Sequence, residues 1–118
     1  SRGLGDVYKR QEFTLGAAYE GPPGQVHGGV CAMVLDHVLG NAASVEGPCY
    51  TGTLTVRYGR PTPLGALVAQ ASVTEHSGRK RIVRGTISDA DGVTCDAEGV
   101  FIVPRSAVDV PSVRWSAG

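Results

Sequence analysis

Residues 26–40, VHGGVCAMVLDHVLG, decide the fold of this chain. A His-Gly-Gly turn leads directly into a nearly all-apolar segment that contains a single acidic residue, Asp36. Because apolar residues surround this segment instead of forming a stripe, it predicts a buried helix over about residues 28–44. The whole chain has 118 residues, of which 42% are hydrophobic, so we expect the helix to lie in the core of one globular domain.

The start of the predicted helix has the features of an anion-binding position. The first four backbone N–H groups of a helix lack intrahelical partners, and the helix dipole adds partial positive charge at the same end. Gly28 and Gly29 leave these groups uncovered, so a developing oxyanion would be stabilised there. Asp36 would be costly to bury without a partner or a chemical task. An anion-binding turn and a lone carboxylate on one helix therefore predict a hydrolytic site.

The segments after the helix show the alternation that is typical of β-strands. Strands are predicted at 50–58, 66–76, 80–88 and 93–103, with hairpin turns at Ser77-Gly78 and Asp91-Gly92. In the first of them, the side chain of Thr51 would lie on the opposite face from Leu54 and Tyr58. A shorter strand is predicted before the helix, at 12–19. The pattern predicts an α+β domain in which an antiparallel sheet wraps around one long buried helix.

The chain divides into three predicted regions. Residues 1–11, SRGLGDVYKRQ, lack apolar periodicity. The run DVYKRQ at 6–11 resembles the translation of an adaptor used in sequencing libraries, so we expect a non-native or disordered segment. Residues 12–104 would form the folded domain, and residues 105–118 would form a C-terminal tail.

Composition argues against several classes of protein. Eleven basic and eleven acidic residues cancel, which disfavours a nucleic-acid binder. No apolar run reaches about 18 residues, so no membrane-spanning helix is predicted. Three cysteines without metal-ligand spacing predict free thiols, no metal site and a cytoplasmic location.

The order of these motifs resembles the hotdog-fold acyl-CoA thioesterases, in particular the phenylacetate-pathway type. The resemblance covers about residues 12–104. Its motifs are YEGPPGQVHGG at 19–29 with an aspartate nine positions after the histidine, VRYGRPTPLG at 56–65, GRKRIVRGTISDADG at 78–92 and AEGVFIV at 97–103. It implies the hotdog fold and the hydrolysis of acyl-CoA thioesters to free acid and CoA. CoA would be part of the substrate, and no other cofactor would be needed.

The resemblance also implies catalytic roles for three residues. The backbone N–H of Gly28 would polarise the thioester carbonyl, and Asp36 would act as general base or nucleophile. Thr51, seven positions before Tyr58, would place the attacking water. Simpler alternatives stay open for each residue: a glycine that allows close helix packing, a solvent-facing charge and an ordinary strand threonine.

A second group of residues would bind the substrate. His27 and Gly29 would position the substrate at the turn, although His27 could instead cap the helix. Cys31 lies four positions after His27, but no third group is spaced to orient such a pair, so we expect Cys31 in the core. Cationic side chains suit the phosphate oxygens of CoA, with solvated surface charge as the alternative. The candidates for this role are Arg60, Arg79, Lys80 and Arg81.

Helix geometry predicts that the site is shared between subunits. Gly28 and Asp36 are eight residues apart, about 12 Å along one helix. That separation exceeds what one water and one carbonyl can bridge at roughly 3 Å per contact. Two antiparallel helices in a symmetric dimer would place Gly28 of one subunit beside Asp36 of the other. The resemblance implies the same arrangement, in a homodimer or a dimer of dimers.

Two other functions compete with thioester hydrolysis. A hotdog dehydratase or hydratase would act on acyl thioesters through a catalytic histidine and a differently placed acid. A non-catalytic acyl-CoA-binding module would need no carboxylate in its site, so Asp36 weighs against it.

Overall fold

A computed structural model of the chain describes residues 8–105, which form a five-stranded antiparallel sheet and one long helix. The elements in chain order are β1 (Tyr8–Leu15), a 3-10 turn (Ala17–Tyr19), α1 (Gly28–Ala43), β2 (Tyr50–Tyr58), β3 (Gly65–Ser77), β4 (Lys80–Asp89) and β5 (Gly92–Ile102). The strand order across the sheet is β1-β3-β4-β5-β2. The predicted α+β architecture is confirmed, and the bounds of α1 and of β2 to β5 agree with the prediction to within one residue at each end.

The helix α1 packs on one face of the sheet and is buried on that side only. Its buried side chains are Cys31, Leu35, Val38, Leu39, Ala42 and Ala43. Gly85 and Gly99 let the helix approach closely, since a Cβ atom at Gly85 would lie 2.5 Å from Leu39 Cδ1. On the opposite side, Met33 is 59% exposed. The expectation of a helix buried all round is therefore wrong for a single chain, because one five-stranded sheet covers only one side of it.

The first strand begins and ends earlier than the sequence pattern indicates. β1 runs from Tyr8, opposite Ser72, to Leu15, opposite Gly65, and so the prediction of a strand over 12–19 is wrong at both ends. An edge strand is held by backbone hydrogen bonds to one neighbour, so most of its side chains face solvent and show no apolar period. Residues 8–11, which the sequence pattern places outside the domain, thus pair with β3 in the sheet. Residues 1–7 of that segment, and residues 106–118 of the predicted tail, lie outside the described residues.

A bulge in β2 changes the direction of the Thr51 side chain. The register shifts between Thr51 and Thr53, which makes Gly52 an extra residue opposite β5. One extra residue reverses the alternation of faces. Thr51 consequently lies on the helix side together with Leu54 and Tyr58, and its hydroxyl contacts α1. The prediction that Thr51 faces away from these residues is wrong, because simple alternation does not include a bulge.

Candidate active site

The His-Gly-Gly turn is held by the loop between β2 and β3. The N–H of Val26 donates to the carbonyl of Thr62 at 2.8 Å, and the N–H of His27 donates to the carbonyl of Tyr19 at 2.8 Å. The buried hydroxyl of Thr62 donates in turn to Oγ1 of Thr94 on β5, also at 2.8 Å. The turn is therefore fixed to the sheet through this loop. The RPTPL segment at 60–64 thus supports the HGG turn at 27–29.

The first turn of α1 leaves one backbone donor unoccupied. The carbonyl of His27 accepts hydrogen bonds from the N–H groups of Val30 (2.9 Å) and Cys31 (3.2 Å). The N–H of Gly29 donates to Nδ1 of His27 at 2.9 Å. The N–H of Gly28 has no hydrogen-bond partner within residues 8–105. Because the His27 carbonyl accepts two hydrogen bonds, the peptide that carries the Gly28 N–H is polarised and the donor is strengthened.

These contacts distinguish the three residues of the turn. His27 is the N-cap of the helix, which is the structural role that the sequence left open. His27 is nevertheless exposed to solvent. Gly29 was predicted to bind substrate, but its N–H is already used by the cap. Of these three residues, Gly28 alone has a backbone N–H without a partner in residues 8–105, and it lies where the helix dipole adds positive charge.

The structure brings Asp36 and Thr51 together. The Thr51 hydroxyl donates to Oδ1 of the Asp36 carboxylate at 2.8 Å. Asp36 is half-buried and Thr51 is exposed, so water can reach the pair. A carboxylate that is oriented by a hydroxyl group and open to water can accept a proton from that water. Because Thr51 belongs to β2, the pair lies at an edge of the sheet in the described part of the chain.

Gly28 and Asp36 remain apart within one chain. Both lie on the uninterrupted helix Gly28–Ala43. Eight residues of helix correspond to about 12 Å along the axis. Within one copy of the described domain, the Gly28 N–H and the Asp36 carboxylate are therefore too far apart to contact the same carbonyl group through one water molecule.

Tyr58 is a member of this site that sequence reasoning missed. Its hydroxyl donates to the carbonyl oxygen of Gly28 at 2.7 Å. The ring lies against the same glycine, since a Cβ atom at Gly28 would meet Tyr58 Cε1 at 3.5 Å. Partial burial raises the pKa of the Tyr58 hydroxyl. The available sequence signal was an aromatic residue on the helix face at the end of β2, immediately before the loop that holds the turn.

Two buried thiols lie behind the turn. Cys31 on α1 is 2% exposed and Cys95 on β5 is 1% exposed, and both are free. The neighbouring Cys31 thiol and burial both raise the pKa of Cys95. The expected core position of Cys31 is confirmed, and its burial separates it from any substrate at the turn.

The predicted CoA-binding cations lie at two different places. Arg60 donates to Asp89 Oδ2 at 3.0 Å and to the carbonyl of Gly92 at 2.9 Å, so its guanidinium ties the β2–β3 loop to the β4–β5 hairpin. This ion pair lowers the pKa of Asp89 to about 2. The structure therefore gives Arg60 a structural partner instead of an open position for phosphate.

The other three cations lie in and next to the turn between β3 and β4. Arg81 and Thr51 both pair with Phe101 on β5, from opposite sides. Two strand spacings separate their Cα atoms, which is about 10 Å. Residues 79–81 are thus at the same end of the sheet as the Asp36–Thr51 pair.

Two further features concern only residues 8–105. They contain no group of three or more His, Cys, Asp or Glu side chains that could hold a metal ion. None of their helices is long and apolar enough to cross a membrane.

Comparison with known proteins assigns the family. The sequence model described as Thioesterase superfamily matches residues 23–96. The chain belongs to the thioesterase superfamily. This superfamily member is 36% identical over 93 residues to acyl-coenzyme A thioesterase THEM4 of Mus musculus, which covers 76% of the chain and 40% of the relative. It is 32% identical over 100 residues to THEM4 of Rattus norvegicus, which covers 84% of the chain and 44% of the relative. The chain spans about two fifths of the length of these curated relatives.

Solved structures show the same fold. The thioesterase superfamily protein RHA08564 has 44% identity and a TM-score of 0.78, covering 83% of this chain and 50% of that one. A putative thioesterase of Ralstonia eutropha, related to phenylacetic acid degradation, has 23% identity and a TM-score of 0.76, covering 82% and 76%. The BH2602 protein of Bacillus halodurans, solved with CoA, has 24% identity and a TM-score of 0.73, covering 79% and 65%. The expected hotdog thioesterase fold is confirmed.

Proposed function

We propose that this thioesterase superfamily member hydrolyses acyl-CoA thioesters to a free acid and CoA. The observation that carries the proposal is the combination of an unoccupied Gly28 N–H with an Asp36 carboxylate that Thr51 orients. The THEM4 relatives are named acyl-coenzyme A thioesterases, and BH2602 was solved with CoA, which supports the same substrate class.

Each of the three groups has a defined task in the proposed reaction. The Gly28 N–H donates to the thioester oxygen and stabilises the negative charge that develops there. Asp36 takes a proton from water while the water oxygen bonds to the carbonyl carbon. When the carbon–sulfur bond breaks, the departing thiolate receives that proton and leaves as CoA. Thr51 holds the carboxylate in position throughout.

Direct attack by Asp36 is an alternative first step with the same products. The carboxylate oxygen would bond to the carbonyl carbon, CoA would leave, and water would then hydrolyse the acyl-aspartate anhydride. Both routes use water and the same three groups, and CoA enters only as part of the substrate.

The active site is proposed to form between two copies of the chain, in a homodimer or a dimer of dimers. The separation of about 12 Å between Gly28 and Asp36 along α1 requires a second helix. β2 supports this arrangement, because it is an edge strand of the described sheet and pairs there with β5 only. A two-fold axis at this edge would place the two helices side by side and produce two equivalent sites.

The cations of residues 79–81 are proposed to hold the phosphates of CoA. These three residues lie at the same end of the sheet as the Asp36–Thr51 pair. Replacing Lys80 with Ala should raise KM for acyl-CoA severalfold and leave kcat nearly unchanged, because a uniform binding contact is lost. Hydrolysis of a short thioester without the nucleotide should be unaffected.

The free cysteines fit a reducing compartment, and we propose the cytoplasm, which cell fractionation would test.

A hydrolysis screen tests the proposed function. The purified chain is mixed with a panel of aromatic, medium-chain and long-chain acyl-CoA substrates, and released thiol is measured against a reaction without protein. We expect release from at least one member of the panel. Absence of release from every member, or hydration of an enoyl-CoA without release, would contradict the proposal.

A further inference from the structure

We propose that Tyr58 is a positioning residue that fixes the direction of the Gly28 N–H through the peptide that follows it. The inference deepens the proposed function and rests on it, because it adds a residue to the same oxyanion-binding turn. Its starting observation is the 2.7 Å hydrogen bond from the Tyr58 hydroxyl to the Gly28 carbonyl oxygen.

The hydrogen bonds of two consecutive peptides show what Tyr58 does. In the peptide between Gly28 and Gly29, the oxygen accepts from Tyr58 and the N–H donates to the His27 ring. In the preceding peptide, the His27 carbonyl accepts from two N–H groups of the helix. Three of the four polar groups are therefore held, and the fourth is the Gly28 N–H. With these three groups held in place, the Gly28 N–H can point in one direction only.

The turn needs this support because of its sequence. Two consecutive glycines have more backbone freedom than any other pair of residues, and helix ends fray. Tyr58 comes from the sheet, where it pairs with Cys95 on β5, so its hydroxyl is a fixed reference point. An oxyanion donor works only at a defined distance from the developing charge. A strand residue that anchors the glycine carbonyl therefore compensates for the freedom of the turn.

The substitution Tyr58→Phe isolates the hydroxyl. It keeps the aromatic ring that packs against Gly28 and removes only the hydrogen bond. Tyr50→Phe is a matched control on the same strand, since Tyr50 is 50% exposed and Tyr58 is 55% exposed. The Tyr50 hydroxyl has no hydrogen-bond partner in the described part of the chain.

Steady-state kinetics give the first measurement. Tyr58→Phe should lower kcat by about 10- to 100-fold, since small misplacements in a site have effects of this size. KM should stay within about twofold, because the lost contribution is made in the transition state. Tyr50→Phe should match the wild type in both constants. A kcat for Tyr58→Phe that equals the wild-type value would overturn the proposal.

Amide hydrogen exchange gives a second measurement that does not depend on activity. In ¹⁵N-labelled protein, the Gly29 amide should exchange several-fold faster in Tyr58→Phe than in the wild type or Tyr50→Phe, while amides in β3 and β4 stay unchanged. If the wild type lacks thioesterase activity, the proposed function fails, but this measurement still decides whether Tyr58 orders the turn. Unchanged Gly29 exchange overturns the positioning role, even if kcat falls, because Tyr58 would then act on the substrate directly.

Discussion

The hydroxyl of Thr51 donates a 2.8 Å hydrogen bond to the carboxylate of Asp36. The bond joins the edge strand β2 to the helix α1, and the bulge at Gly52 makes it geometrically available. One carboxylate oxygen is thereby held, which leaves the other free to face water. The hydrogen bond limits the rotamers of the carboxylate and so fixes the direction from which it can accept a proton.

Replacing Thr51 tests the importance of this contact. Thr51→Val keeps the shape of the side chain and removes the donor, so kcat should fall by about 10- to 100-fold. Thr51→Ser keeps the hydroxyl and should retain most of the activity. Thr53→Val, at the next paired position on β2, is the control and should behave as the wild type. Equal kcat values for the Val and Ser variants at position 51 would show that the hydroxyl has no part in catalysis.

Gly28 allows an unusually direct test of a backbone donor. Gly28→Pro removes the N–H, and proline is accepted at the first position of a helix. The preceding residue is compatible, since His27 has φ −58° and ψ 135°. A Cβ atom at Gly28 meets Tyr58 only at 3.5 Å, an ordinary contact. We expect Gly28→Pro to lower kcat by about 10²- to 10³-fold.

Gly28→Ala is the control for this experiment, because it adds the same Cβ atom and keeps the N–H. It should retain activity within about tenfold of the wild type. If both variants lose activity equally while circular dichroism shows that they are folded, the loss comes from the added side chain and not from the donor.

A subunit-mixing experiment tests whether the site is shared. Gly28→Pro and Asp36→Asn should each have little activity as homodimers, but a mixed dimer would have one site with an intact glycine from one chain and an intact aspartate from the other. Unfolding and refolding an equal mixture should restore about a quarter of the wild-type activity, since half of the dimers are mixed and each has one working site of two. A mixture that stays inactive would place both residues in one subunit and exclude the shared site.

The ion pair between Arg60 and Asp89 predicts a pH dependence of stability. The pKa of Asp89 is about 2 in the folded chain, below its ordinary value of 3.8. A carboxyl whose pKa is lower when folded stabilises the fold above its unfolded pKa, and this contribution disappears as the pH falls through the folded pKa. Asp89→Asn should therefore lower the Tm at pH 6, and the difference from the wild type should close between about pH 4 and pH 2.

Arg60→Gln provides the matching measurement, because it removes the other partner of the same ion pair. It should show the same closing of the Tm difference at low pH. A Tm difference for Asp89→Asn that stays constant from pH 6 to pH 2 would mean that the substitution does not act on stability through loss of the ion pair with Arg60.

The sequence predicts the regular part of this structure well and the contacts between distant segments poorly. The helix is visible in the sequence as one long, nearly all-apolar run, and β2 to β5 are visible through the alternation of their apolar and polar residues. β1 was misplaced because an edge strand with exposed side chains, such as Tyr8, has little periodicity. Thr51 was placed on the wrong face because the bulge at Gly52 depends on the pairing with β5 and leaves no mark in the alternation.

The candidate site shows the same division. Asp36 and Gly28 are candidates from the sequence because a lone acid in an apolar helix and an uncovered helix start have chemical consequences, and the resemblance to the thioesterases implies the same two residues. The contact of Tyr58 with Gly28 spans 30 residues, and that of Arg60 with Asp89 spans 29. Neither pair is related by a helix or hairpin spacing, so only the folded arrangement of the loop and the sheet shows them.

The most direct test of the account is the activity of Asp36→Asn. The amide nearly preserves the shape of the side chain and can still accept the hydrogen bond from Thr51, but it can neither take a proton from water nor attack the thioester as a carboxylate. We predict that kcat for the best acyl-CoA, measured as thiol release, falls by about 10²- to 10⁴-fold, while KM and the oligomeric state stay close to those of the wild type. Glu46→Gln, which neutralises an exposed acid just after the helix, should leave both constants unchanged. A folded Asp36→Asn protein that hydrolyses its substrate at the wild-type rate would contradict the assignment of Asp36 and with it the proposed mechanism.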